Sequence, residues 1–255
     1  MAPHRPQPKN GGFYMIETTD PRYGTVYRDV IGHSVTGEAI GIEHYSRMIP
    51  LTMSIEERLD LLEDAYREKA HLLGMREVAD KLGLTAKTDL DGYYWRQVRA
   101  AFRERSDAGD LLACYIMQDI VLELFAVIMY EAVIPGSTPF AAQMVKGIAG
   151  EERTHLAHGI KAVKKAYEHD PEGVRERVAY ANERVARVLS AWTRPEQCGI
   201  SCGVCVDKCA KHDLPLIEID LASVHARFLD DYGRSLREIG FPPADVTRLL
   251  SQLAA

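Results

Sequence analysis

The feature that most constrains this chain is a pattern of carboxylates and histidines that occurs twice. In the second half, Glu123 stands alone inside the apolar run Ile120-Val121-Leu122-Glu123-Leu124-Phe125, and Glu152-Arg153-Thr154-His155 follows beyond a break at Pro135-Gly136-Ser137. In the first half, Glu38 lies in Val35-Thr36-Gly37-Glu38-Ala39-Ile40, and Glu68-Lys69-Ala70-His71 follows at nearly the same separation. Residues i and i+3 share one face of a helix, so each Glu-x-x-His pair can point at one metal ion. A lone carboxylate in an apolar run is costly to bury unless it is paired, protonated or bound to a cation. One Glu-x-x-His alone says little, because a chain of this length contains about one by chance. The ordered set of four elements says much more.

Two lone glutamates and two Glu-x-x-His pairs are the ligand set of ferritin-like dinuclear carboxylate bundles. The expected fold is therefore all-α, a ferritin-like helical bundle with additional C-terminal helices. No stretch alternates like a strand. Residues 1–22 read as an N-terminal tail and 23–255 as one domain. Helices are expected from about Gly24 to Met48, from a Ser54 cap to about Leu82 with Gly83 ending it, and from Thr88 to Arg105. Asp110 to Val133 is apolar nearly all round and should be the most buried helix. Thr138-Pro139 opens a helix to about His169, and Glu172–Trp192, Leu221–Ile239 and Ala244–Leu253 complete the set. Glu43 is the alternative to Glu38, five residues on and so on another face. Otherwise Glu43 and His44 read as solvated or as neighbours of the ligands.

The 255 residues are 46% hydrophobic and 27% charged, enough for a core, with a net charge of −6 and no basic face to recommend nucleic acid. No apolar run reads as a membrane span and no signal peptide is evident, so a cytoplasmic location is expected. Six ligands, four of them carboxylates, suit two iron or manganese dications better than zinc or copper. The apolar run from Ile116 to Met129 would wall an O2-accessible pocket. Tyr130, two turns past Glu123, either hydrogen-bonds a ligand or packs in the core. Glu151 either orients a histidine of the other half or is solvated. His158 reads as a partly exposed histidine, and Cys114 as a core residue.

At these residues the chain resembles the cyanobacterial aldehyde-deformylating oxygenases. The resemblance runs from about Tyr27 to the C-terminus. It is strongest in Glu123-Leu-Phe-Ala-Val-Ile-Met-Tyr130, in Val133-Ile134-Pro135, in Glu151-Glu152-Arg153-Thr154-His155-Leu156 and in the segment Asp231 to Phe241. It implies iron ligands at Glu38, Glu68, His71, Glu123, Glu152 and His155, an active-site tyrosine at Tyr130, O2 as co-substrate, and an external electron donor such as ferredoxin with its reductase. Glu131 replaces the amide residue that follows the tyrosine in that family. The chain resembles equally the azoxy-forming diiron enzymes of valanimycin-type pathways. This implies N-oxygenation of a hydrazine in natural-product biosynthesis, and the position of Glu131 one residue past Tyr130 suits it to hold a nitrogen substrate. Aldehyde deformylation is the alternative. A rubrerythrin-type peroxide scavenger is a further one, although the paired Cys-x-x-Cys motifs of that type are missing. A homodimer is compatible with either oxygenase.

A second signal lies at 197–213, read as a Cys-rich insertion carrying Cys198, Cys202, Cys205 and Cys209. Four cysteines this close in a reducing compartment suggest a metal group rather than disulfides. Cys202-Gly-Val-Cys205-Val-Asp-Lys-Cys209 is similar to ferredoxin runs that wrap a [4Fe–4S] cluster, with His212 or Cys114 as substitute ligands. Structural zinc is one alternative, and free thiols or a regulatory disulfide the other.

Overall fold

The computed structural model describes residues 22–194 and 210–254, and every regular element among them is helical. In chain order these are α1 (Arg22–Met48), α2 (Ile55–Lys81), α3 (Tyr93–Asp107), α4 (Leu111–Val133), α5 (Pro139–His169), α6 (171–192), a 3-10 turn (Ala210–Ile217), α7 (Leu221–Ile239) and α8 (Pro243–Ala254). Helix α1 pairs with α2 and α4 pairs with α5, and the two pairs pack into a four-helix bundle. Helix α7 covers α4 and α5, α8 packs on α7, and the 3-10 turn lies along α1.

Local chemistry sets the helix ends. Ser54 Oγ accepts the Glu57 amide at 3.2 Å and Thr138 Oγ1 the Ala141 amide at 3.3 Å. The Asp110 and Asp170 carboxylates accept from Ala113 and Gly173 at 3.2 and 2.9 Å. Pro139 and Pro171 occupy first-turn positions, where a missing N–H costs nothing. Gly240 closes α7 at φ +118°, a backbone conformation that side chains resist.

Two departures from the sequence expectations matter. Helix α4 widens into a π-helical turn over Ile116–Leu122, which buries Gln118 and Asp119 beside Glu123. Helix α4 is also long and apolar enough to cross a membrane, contrary to the sequence reading, yet 78% of its most apolar window is buried inside the bundle. It is the core helix because it is surrounded by the others. The outer face of α2 carries the only concentration of exposed large apolar side chains among the described residues, Ile55, Leu59, Leu62, Tyr66 and Leu73.

Candidate metal centre

The four inner helices each bring acidic side chains to one buried point. Glu38 comes from α1, Glu68 and His71 from α2, Glu123 from α4, and Glu152 and His155 from α5, all buried. They fall into two overlapping sets, Glu38, Glu68, His71 and Glu152, and Glu68, Glu123, Glu152 and His155; the ligand atoms within each set lie within 4.8 Å of one another. Glu68 and Glu152 belong to both. Each histidine aims Nδ1 inward: His71 Nδ1 lies 3.4 Å from Glu38 and 3.1 Å from Glu152, and His155 Nδ1 lies 3.1 Å from Glu152 and 3.3 Å from Glu68.

These groups fit metal better than they fit one another. Glu38 Oε2, Glu68 Oε1, Glu152 Oε2 and both Nδ1 atoms are buried without a hydrogen-bond partner. Each such atom costs about 1–3 kcal/mol if left so. Burial and the neighbouring carboxylates Glu152, Glu123 and Glu38 push Glu68 well above the ordinary range, and burial with Glu123 and Glu38 pushes Glu152 up to about 7. Burial alone would lower the histidines, but the close carboxylates of Glu152 and Glu38 carry His71 up to about 11, and those of Glu123, Glu152 and Glu68 raise His155. The cluster thus holds protons where two dications would replace them. Four carboxylates and two neutral histidines are a donor set for iron.

Outward, each histidine has a carboxylate on its far nitrogen. His71 Nε2 is 3.0 Å from Glu151, and His155 Nε2 is 3.4 Å from Asp64. Glu123 accepts from Gln118 Nε2 at 2.8 Å and from the Tyr45 hydroxyl at 3.0 Å. The Tyr45 oxygen also lies 3.1 Å from Asp119, while Gln118 Oε1 accepts from His44 Nδ1 at 2.6 Å. Two glycines make room. A Cβ at Gly41 would strike the Glu68 carboxylate, and one at Gly159 would strike the Asp119 side chain. Tyr130 donates its hydroxyl to Glu38 Oε1.

The structure therefore brings Glu38, Glu68, His71, Glu123, Glu152, His155 and Tyr130 together, with Glu151 on His71. Glu43 is elsewhere, bound to Arg99 and Arg103 on the far face of α1. Glu131 also lies outside the site, a correction to the substrate-holding role expected for it. It points away from the cluster and is held by Arg153 and Arg227. His158 is exposed. Cys198, Cys202, Cys205 and Cys209 lie outside the described residues, and Cys114 is a buried free thiol whose burial pushes it up to about 12. The sequence reading does not reach Asp64, Gln118, Asp119 or Tyr45. Only Asp119 carried a signal, a second acid in the apolar run Ile116 to Met129, one turn before Glu123.

A cavity of about 150 Å³ opens from Glu38, Glu68, Glu123 and Glu152 and extends along α1 as far as Val26. Val30, Phe125, Met129, Val133 and Leu189 make most of its wall apolar.

The profile of the long-chain fatty aldehyde decarbonylase family matches residues 21–254. Among solved structures, the chain is similar to protein 19 with aldehyde deformylating oxidase activity from Synechococcus, with a TM-score of 0.77 and 18% identity over 91% of this chain and 97% of that one. At that identity the structural match speaks for the ferritin-like fold. With the profile spanning the whole bundle and the dinuclear ligand set assembled inside it, the chain belongs to the long-chain fatty aldehyde decarbonylase family and is a non-haem diiron oxidoreductase.

Proposed function

We propose that this protein is an O2-dependent diiron oxygenase that tailors a small molecule bearing an aliphatic chain. The observation that carries this is the apolar cavity that begins at the four carboxylates. An apolar wall binds hydrocarbon and keeps water from the reacting centre. Glu38 and His71 would hold one iron, Glu123 and His155 the other, and Glu68 and Glu152 would span both. When bound, a diferrous pair supplies electrons to O2. Glu151 fixes the tautomer of His71, Asp64 lies beside His155 Nε2, Tyr45 and Gln118 hold Glu123, and the Tyr130 hydroxyl holds Glu38 and faces the cavity.

Two head groups fit this frame. Deformylation of an aldehyde is supported by the family. N-oxygenation of a hydrazine to an azoxy compound is supported by the resemblance described above and by the four cysteines. A [4Fe–4S] cluster there would carry electrons from an external ferredoxin toward the dinuclear site, whereas zinc would only brace the C-terminal helices. The nitrogen reading gains nothing from Glu131, which its two arginines hold outside the cavity. Reduced, iron-loaded protein given 18O2 with a dialkylhydrazine or a long-chain aldehyde separates the two. Labelled azoxy product assigns N-oxygenation, and formate with a shortened hydrocarbon assigns deformylation. Consumption of O2 or peroxide at one rate with or without either compound would sink the oxygenase reading in favour of a scavenger.

A further inference from the structure

His44 stands on α1 directly before Tyr45 and is wholly buried. Its ring lies flat on the buried Phe102 ring, with centres 3.6 Å apart and planes within 5° of parallel. Nδ1 meets Gln118 Oε1 at 2.6 Å, while Nε2 is buried with no hydrogen-bond partner among the described residues. His71 and His155 each aim a nitrogen at the carboxylate cluster, but His44 belongs to neither ligand set and does not line the cavity. A buried nitrogen left unpaired is expensive, so its presence calls for a reason.

The hydrogen-bond chemistry settles which atoms carry protons. A carboxylate only accepts, so the end of the Gln118 amide 2.8 Å from Glu123 Oε1 is the NH2 group. The amide oxygen therefore faces His44, and it too only accepts, so His44 carries its ring proton on Nδ1. Burial lowers His44 to about 4, which keeps the ring neutral and leaves Nε2 as a bare acceptor. The unpaired nitrogen is thus the consequence of presenting a donor to Gln118. Gln118 needs one, because it lines the cavity and has open space to turn into instead of Glu123.

We propose that His44 is a positioning residue for the dinuclear site: it pins the Gln118 amide against Glu123 and keeps it out of the cavity. Tyr45 reaches the same Glu123 oxygen directly at 3.0 Å. Two consecutive residues of α1 therefore hold one ligand of α4, Tyr45 at first hand and His44 through Gln118. Phe102, stacked on the His44 ring, sets the plane in which Nδ1 points. That role rests on the reading above that Glu123 holds iron. Without His44 the Gln118 oxygen loses its donor and the amide swings into the cavity, which loosens Glu123 and puts a polar group where an aliphatic substrate would lie.

The test is a double-variant cycle on full-length protein titrated anaerobically with ferrous iron. Near-infrared circular dichroism of the diferrous form reads the geometry of the ligands, and thermal melting reads the fold. His44→Phe keeps a ring on Phe102 and should melt near wild type; His44→Leu takes its place if that variant does not fold. Affinity for the more weakly held iron should fall about tenfold, the low end of the effect of removing a ligand's support, with an altered diferrous spectrum. Gln118→Leu should reproduce both changes, and His44→Phe added to it should alter neither further. Wild-type affinity and spectrum in His44→Phe, or in Gln118→Leu, overturn the proposal. Losses that multiply in the double variant also overturn it, because His44 would then act without Gln118. If Glu123→Ala leaves iron binding and spectrum unchanged, the ligand reading itself fails and the role of His44 with it.

Discussion

Gly41→Ala is the sharpest test of the metal centre, because it touches no ligand chemically and moves one physically. A Cβ at position 41 would fall on the Glu68 carboxylate, within 2.9 Å of its Cδ and 3.1 Å of its Cγ. Carbon atoms in contact sit about 3.5–4.0 Å apart, so Glu68 must retreat by roughly 0.5–1 Å. Overpacking of this kind costs about 1–3 kcal/mol, and alanine returns up to about 1 kcal/mol of helix propensity. The net loss of folding stability is therefore about 0–2 kcal/mol, and the bundle should survive. Metal binding has no such compensation. Glu68 belongs to both ligand sets, and a shift of that size in a shared ligand should weaken uptake of the second iron by about 10–100-fold, the scale seen when a ligand's support is removed. Anaerobic ferrous titration with iron analysis reads the affinity, and thermal melting reads the fold. Gly147→Ala on α5 is the control, since its Cβ would meet nothing within 4 Å; it should raise stability by about 0.5–1 kcal/mol and leave iron unchanged. Two irons bound to Gly41→Ala with wild-type affinity would refute the assignment of Glu68 as a shared ligand.

Other outcomes follow from the same geometry. Tyr130→Phe removes the hydroxyl that Glu38 accepts, a charge-assisted bond of about 1.5–3 kcal/mol, so iron should still load while turnover of the preferred substrate falls; unchanged turnover would reduce Tyr130 to packing. Glu43→Gln should cost about 1 kcal/mol at neutral pH and leave iron content untouched, since Glu43 serves Arg99 and Arg103; loss of iron would transfer the ligand role to it. Burial pushes Glu43 up, but hydrogen bonds from Arg103 and Arg99 outweigh it and hold its carboxyl below the ordinary range. Its contribution is thus present above the unfolded carboxylate value of about 4.3 and lost as pH falls through the folded one, so wild type and Glu43→Gln should converge in melting temperature on acidification. Cys202→Ser or Cys205→Ser should remove acid-labile sulfide and brown colour from anaerobically prepared protein while the carboxylate site still fills; zinc without sulfide would make the run a structural brace.

The sequence alone determined most of the bundle and named the six carboxylate and histidine side chains that meet inside it. The helix from Ser54 announced itself by its cap, the one from Asp110 by its apolarity and the one from Thr138 by the Pro139 that follows, and Glu-x-x-His fixed which face of α2 and α5 turns inward, because i and i+3 coincide on any helix. What lies across the bundle was not legible, because contact between side chains dozens of residues apart is set by packing. Glu38 and Glu43 are both glutamates on one helix, and only the neighbours of each separate them: carboxylates and histidines for the first, Arg99 and Arg103 for the second. Glu131 follows Tyr130 directly, and one step along a helix rotates a side chain about 100°, away from the carboxylate cluster and toward Arg153 and Arg227. The π-helical turn that sets Gln118 and Asp119 beside Glu123 leaves no mark in residue spacing; Asp119 there packs over Gly159 and meets Tyr45, both far along the chain. The same holds for the donor that meets Gln118. His44 lies 74 positions before it, and only the packing of α1 against α4 brings the two to 2.6 Å.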